Sequence, residues 1–402
     1  MLGKIRQLGP GVIVAAAFIG PGTVTTATMA GAGFGYTLLW AILFSVLATI
    51  TLQEMSARLG VVSGMGVGEA LRKKAKTPML KICSIILVVG AILIGNAAYE
   101  AGNITGAALG FNWGKDQLVN PLILIIGLVS FLLLFSGKYK IIERSMIFLV
   151  SLMGIIFLVS AIFLQPDIFQ IIRGLFVPVL PEKSLVMVVG LIGTTVVPYN
   201  LFLHASSVKG KWKGQQGRSV SRWDTIISVS LGGIITLAIM ITAAIAFEGQ
   251  NKQIAGFSDL TTQLEPVLGN WSSGFIAFGF LAAGLSSAIT APLAAAFATA
   301  EILGWKHSLK DMRFRAIWVG VLLMGIIFSS LGFSPTGVIL FAQVANGLLL
   351  PIIASFLLWI MNDKQIMQSH TNSIWINVFG FIVIFITVLL GLRSILAALS
   401  II

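Results

Sequence analysis

Eleven stretches of mainly apolar residues, each long enough to cross a bilayer as a helix, run through this chain at roughly 9–30, 37–58, 79–109, 119–137, 145–165, 185–206, 224–247, 271–303, 314–332, 337–361 and 373–396. A spanning helix needs about 20 such residues. In hydrocarbon every backbone N–H and C=O must find a partner within the protein, so stretches of this length can only be helices. Hydrophobic residues make up 57% of the 402 positions and charged residues 10%, against about 25% charged in a soluble domain. A water-facing surface of this size cannot be built from such a composition. The sequence therefore predicts an all-α, multi-pass protein of the cell membrane, with the lipid bilayer as its main partner. The connections are short and none is rich in polar or low-complexity sequence, so residues 1–402 read as one transmembrane domain. Lys4 and Arg6 ahead of the first stretch imitate a signal peptide, but no clear cleavage site ends it and ten similar stretches follow. The third and eighth stretches are long and are expected to tilt or project beyond the lipid. The single cysteine, Cys83, excludes an internal disulfide and any cysteine-rich metal site.

The positions of the basic residues set an orientation. With the N-terminus cytoplasmic, the cytoplasmic side carries Lys4, Arg6, Arg58, Arg72, Lys73, Lys74, Lys76, Lys81, Lys138, Lys140 and Arg144. It also carries Lys209, Lys211, Lys213, Arg218, Arg222, Lys306, Lys310, Arg313, Arg315 and Lys364. Only Lys115, Arg173, Lys183, Lys252 and Arg393 fall on the other side. Twenty-one against five is the asymmetry expected of cytoplasmic loops. It accounts for the net charge of +12 without a nucleic-acid partner.

Two spans are interrupted. The first is broken at Gly20-Pro21-Gly22-Thr23, and the sixth at Thr194-Thr195-Val196-Val197-Pro198-Tyr199-Asn200. Proline removes a helix hydrogen bond, and the freed carbonyls need partners that lipid cannot supply. Spans one and six open two successive sets of five, and paired broken helices in corresponding halves point to a substrate site near the membrane midplane. The plainer reading, that proline only bends each helix, accounts for one break more easily than for two at matching places.

Few other polar groups lie at membrane depth. Glu100 and Asn103 sit one turn apart in the third span and form a candidate ion or proton path, unless Glu100 reaches water at its helix end. His204, one turn past the second break, is either a proton relay or a partner of Ser207 or a nearby carbonyl. Gln343 and Asn346 mark one polar face of the tenth span. Glu54 with Gln53, Asp224 and Glu301 fall at cytoplasmic span ends, where ion pairs with arginines are expected. Ser286, Ser287 and Thr290 are expected to bond to their own helix.

Several stretches together resemble the Nramp family. They are Gly9-Pro10-Gly11 through Thr23, Leu38-Leu39-Trp40, Ala57-Arg58-Leu59-Gly60-Val61-Val62, and Pro198-Tyr199-Asn200-Leu201-Phe202-Leu203-His204-Ala205-Ser206-Ser207. Leu264-Glu265-Pro266, Leu281-Ala282-Ala283-Gly284, Ser286-Ser287, and Gln343 ahead of Leu350-Pro351 continue the likeness in order. The resemblance implies a LeuT-type fold of two inverted five-helix repeats (about 9–165 and 185–361) plus an eleventh helix (about 373–396). It also implies alternating access, usually for divalent metal ions moving with protons. The substrate positions it points to are Gly20, Gly22, Thr23, Thr194, Val197, Tyr199 and Gln343, with Glu100, Asn103 and His204 along the proton or ion path. No cofactor is implied.

This chain departs from the family at those very positions. The Asp-Pro-Gly-Asn motif of the first span has Gly20 and Thr23 in place of both side-chain ligands. In the sixth span Thr194 replaces an alanine, Val197 a methionine, and Tyr199 the histidine after the proline. At the positions of two acidic residues in the third span stand Glu100 and Asn103. A bare divalent ion at the midplane carries a desolvation cost of order tens of kcal/mol in the Born limit, normally offset by carboxylates, imidazole or sulfur. The remaining donors are neutral. That argues against Mn²⁺ or Fe²⁺ held as in the family and leaves a hydrated, Mg²⁺-like or monovalent cation as the first expectation. A small organic or anionic solute such as an amino acid is the alternative, because a glycine break exposes N–H groups at the positive end of a half-helix. A channel is the third reading. The sequence holds no His-Glu-x-x-His, Gly-x-Ser-x-Gly or Walker A motif, so neither an enzyme nor ATP-driven transport is expected.

Overall fold

A computed structural model describes residues 9–11, 19–111, 120–136, 140–209, 211–212, 214–249, 254, 256–305 and 309–398. The chain enters the described helices at α1 (Pro21–Phe34) and α2 (Leu39–Ser63). A short α3 (Val67–Lys74) leads to α4 (Pro78–Leu109), α5 (Pro121–Ser136) and α6 (Lys140–Phe163). A nine-residue α7 (Ile168–Phe176) precedes α8 (Leu185–Thr195), α9 (Pro198–Val208) and α10 (Gly214–Ala246). Two short helices, α11 (Phe257–Thr262) and α12 (Glu265–Leu268), connect to α13 (Trp271–Leu303) and α14 (Met312–Ser329). The chain closes with α15 (Pro335–Met361), α16 (Lys364–Met367) and α17 (Ile374–Ala398).

Ten of the eleven predicted spans coincide with described helices. Eight helical stretches, with α8 and α9 taken as one, have the length and hydropathy to cross a bilayer, and α5 and residues 150–163 of α6 are shorter apolar helices. Residues 12–18 of the first span lie outside the described residues. The helix ends follow local chemistry. Thr77 Oγ1 accepts the Leu80 N–H at 3.3 Å and Pro78 opens α4, the favoured pairing of a hydroxyl cap with proline at the first helical position. Gly64 and Gly304 end α2 and α13 at φ of 65° and 72°, a conformation that glycine adopts without strain. The third and eighth spans are long, as expected, at 32 and 33 residues. The seventh, α10, is equally long because its helix begins at Gly214, ten residues before the expected start. At 1.5 Å per residue these helices reach about 50 Å, well beyond a hydrocarbon core of about 30 Å.

The interrupted sixth span sits at the centre. Buried residues make up 89% of the most apolar window of α8–α9, but only 28% of the corresponding windows of α4 and α17. Small residues let the other helices close around it. A Cβ on Gly284 of α13 would stand 2.6 Å from the Asn103 carbonyl oxygen, and one on Gly106 would stand 2.8 Å from Pro21 Cγ. Glycine at these two positions brings α13 onto α4, and α4 onto the start of α1, with backbones in near contact.

Candidate functional site at two interrupted helices

Both breaks are present in the structure. Gly20 is extended (φ −132°, ψ −173°) and α1 starts at Pro21. In the sixth span α8 stops at Thr195, Val196 and Val197 leave the helix (ψ 76° and 117°), and α9 restarts at Pro198. The N–H groups opening α1 and the carbonyls closing α8 lack partners within their own helices. The site is therefore framed by a positive and a negative helix end.

The predicted substrate positions converge on this frame. Thr23 Oγ1 lies 2.8 Å from Thr194 Oγ1, a buried hydroxyl pair joining α1 to α8. Gly22 faces Gln343 of α15, and a Cβ there would overlap the side-chain amide. Gly20 is roomier, with Ser287 Oγ the nearest atom to a built Cβ at 3.6 Å. Val197 is buried and contributes backbone to the break. Tyr199 is buried in the first turn of α9, its ring 5.6 Å from that of Tyr99 on α4 at an angle of 60°. Thr194, Tyr199 and Gln343 are each 1% exposed or less, so the donors lie inside protein.

The remaining predicted residues form two neighbouring groups. Glu100 is fully buried, which removes the reading in which it reaches water, and Asn103 Nδ2 donates to its Oε2 at 3.4 Å. Its methylenes press on Gly325 of α14. His204 is also fully buried, but its partner is neither Ser207 nor a carbonyl. Its Nδ1 pairs with Gln53 Oε1 at 2.9 Å, while Ser207 donates to the Leu203 carbonyl. The reach across α2 decided this, because Gln53 projects from the facing helix.

The expectations for the span-end carboxylates and the eighth-span hydroxyls divide. Glu54 does pair with Arg58 at 3.2 Å. Asp224 instead accepts the N–H groups of Gly9 and Gly11 at 2.9 and 2.7 Å. Glu301 accepts from Ser206 Oγ and from the Gly68 N–H. In both, a carboxylate meets helix-end N–H groups rather than an arginine. Thr290 bonds to its own helix, donating to the Ser286 carbonyl at 2.9 Å.

Asn96, Tyr99, Gln53 and Asn200 belong to the same polar interior and were not among the predicted site residues. Asn96, Glu100 and Asn103 recur at helical spacing on one face of α4, a signal legible in the sequence. Several buried atoms have no hydrogen-bond partner among the described residues: Gln343 Oε1, Asn346 Nδ2, Asn96 Oδ1, Glu100 Oε1, His204 Nε2 and both side-chain atoms of Asn200. Buried polar groups are paired in more than nine cases of ten, so these atoms stand out, although others such as Ser130 Oγ, Ser228 Oγ and Thr299 Oγ1 lie elsewhere in the helices. No group of three or more His, Cys, Asp or Glu side chains able to hold a metal is found among the described residues.

The profile of the family described as natural resistance-associated macrophage protein-like (Nramp) matches residues 11–397. This chain belongs to the Nramp family. It is 27% identical over 394 residues to a divalent metal cation transporter, MntH, of Klebsiella pneumoniae strain 342, covering 96% of this chain and 93% of that protein. A crystal structure of the Eremococcus coleocola manganese transporter superposes with a TM-score of 0.76 at 25% identity, covering 97% of this chain and 86% of the other. The closed conformation of Mhp1, a nucleobase-cation-symport-1 family transporter, superposes at 0.57 with 12% identity and likewise 97% of this chain. That likeness is one of fold alone. The Nramp matches carry the LeuT-type architecture of this chain and its character as a multi-pass membrane protein.

Proposed function

We propose that this Nramp protein is a secondary transporter that moves a metal cation by alternating access, and that the ion keeps part of its water shell at the midplane. The observation that carries the reading is the Thr23–Thr194 hydroxyl pair beside Gln343, at two breaks where Gly20 and Val197 stand in place of the family's charged and thioether ligands. Neutral oxygens cannot repay the dehydration of a divalent ion, but they can hydrogen-bond the waters of one that stays hydrated. A hard ion such as Mg²⁺ gives up water reluctantly and is commonly bound through several of its waters. Names of relatives that match nearly the whole of this chain, a divalent metal cation transporter and a manganese transporter, support a metal as the cargo.

In this reading Gly20, Gly22, Thr23, Thr194, Val197, Tyr199 and Gln343 line the substrate position. Glu100, Asn103 and His204 lie along the path of the coupling ion. The two inverted repeats take in about 9–165 and 185–361, and α17 stands outside them. The N-terminus and the 21 basic positions face the cytoplasm. The test is uptake by purified protein in liposomes after replacing Thr23, Tyr199 or Gln343 by alanine. Each replacement is expected to depress cation uptake at equal insertion. Unchanged uptake in all three would remove this site.

A further inference from the structure

The nine-residue helix α7 lies between the end of α6 and the start of α8, on the side away from the basic loops. At about 100° per residue its side chains sort into three faces. Ile171 and Leu175 pack on the hydrophobic core, and Gly174 sits against the Tyr36 carbonyl with no room for a Cβ. Gln170 and Arg173 turn to a cavity of about 860 Å³, which they line with Tyr36, Asp167 and Glu248. Ile168, Ile172 and Phe176 fall within an arc of about 80° and stand 70%, 52% and 71% exposed. Phe169, at the edge of that arc, is exposed and also borders the cavity.

We infer that α7 is an interfacial membrane helix, its exposed apolar face seated at the headgroup–acyl boundary of the bilayer. Three observations favour lipid as the occupant. Exposed apolar side chains also stand on either side of α7 along the chain, on spans long and apolar enough to meet lipid: Ile162 and Phe163 at the end of α6 and Val186 at the start of α8. Nine residues span about 14 Å, too short to cross a bilayer, and a helix with separate apolar and polar faces settles along its surface. The helix is also pinned at both ends. Asp167 Oδ1 accepts the N–H groups of Phe169 and Gln170 at 2.9 and 3.2 Å, and Trp40 Nε1 donates to the Val179 carbonyl at 2.9 Å just past the helix. Because α7 forms one wall of the cavity and Gly31, Ala32, Phe34 and Gly35 at the end of α1 form another, the seat in lipid fixes the position of a wall facing α1, which bears substrate in the function proposed above.

The test uses the full chain in phosphatidylcholine nanodiscs. Cys83 is the one cysteine and is exposed, so a Cys83→Ser background accepts single nitroxide labels at Ile168→Cys, Ile172→Cys, Phe176→Cys and Gln170→Cys. The ratio of collisions with oxygen to collisions with a water-soluble nickel chelate is expected to be several-fold higher at 168, 172 and 176 than at 170. Equal ratios at all four positions would overturn the inference. So would spin–spin broadening at 172 that disappears on dilution with unlabelled protein, since a second copy would then cover this face. If one of the three apolar-face variants fails to fold, the other two report the same face.

Discussion

The buried hydroxyl pair makes a prediction that separates stability from transport. Thr23 and Thr194 face each other at 2.8 Å, both with side chains fully buried. Valine matches threonine in shape but has no hydroxyl. Thr23→Val alone leaves the Thr194 hydroxyl without its partner, and a buried donor or acceptor stranded in this way costs about 1–3 kcal/mol. Replacing both removes the stranded group, and two apolar groups of the same shape can be nearly neutral. The double variant should therefore regain most of the stability lost by Thr23→Val, giving a coupling of about 1 kcal/mol in a double-mutant cycle. Transport should move the other way. A hydrogen bond to a water of the ion's shell is worth about 0.5–1.5 kcal/mol, or about 2–10-fold in affinity, and the double variant loses two of them. Thermal unfolding in detergent reads the first quantity, and the substrate dependence of uptake in liposomes reads the second. A double variant that is as stable as the parent and transports with unchanged affinity would show that the hydroxyls hold two helices together and nothing more.

Gly22→Ala should abolish transport and destabilise by about 1–3 kcal/mol through overpacking, since its Cβ overlaps the Gln343 amide. Gly20→Ala, with 3.6 Å to the nearest atom, should fold normally, and melting of the two variants side by side checks the contrast. Glu100→Gln keeps the size of a fully buried side chain while removing its ability to ionise. It should leave a folded protein whose uptake no longer responds to a pH gradient, measured as flux with and without the gradient. Gln53→Ala strips His204 Nδ1 of its partner and should lower stability by about 1–3 kcal/mol, which Gln53→Glu should partly restore. The cap of α7 titrates. Hydrogen bonds from the Gln170 backbone and side chain, and then from Phe169, hold the Asp167 carboxyl below its ordinary value of 3.8. Its contribution is complete above that value and is lost as pH falls through the lowered one. Label mobility on α7 should therefore rise only below about pH 4, and Asp167→Asn should flatten the dependence.

Ten of the eleven spans and the two breaks were legible in the sequence because lipid leaves the backbone no alternative to the helix. Proline and glycine at Gly20-Pro21-Gly22 and Val197-Pro198 mark where that rule is broken. The convergence of Thr23, Thr194 and Gln343 followed from matching breaks and family likeness, although neither fixes a distance. What was not legible depends on which helix faces which. The Gln53–His204 pair joins α2 to α9 across 151 positions, and no local period announces it. Asp224 and Glu301 were expected to pair with arginines because arginines are close in sequence. The structure gives them backbone N–H groups from elements far along the chain, which only the packed fold brings within reach. Tyr99 carries no sequence signal beside the ionisable Glu100, and its place as the ring against Tyr199 appears only once α4 meets α9.

The most direct measurement is a flux panel on the purified protein in liposomes, with Mg²⁺, Mn²⁺ and Ca²⁺ followed by metal-sensitive dyes and small amino and organic acids by radiolabel. A site of neutral oxygens predicts saturable uptake of Mg²⁺, a metal that retains its water. Mn²⁺ should offer no advantage over it. Selective, saturable Mn²⁺ uptake that ignores Mg²⁺ would contradict the hydrated-ion account. Uptake of an organic acid without any metal flux would overturn the assignment of a cation altogether.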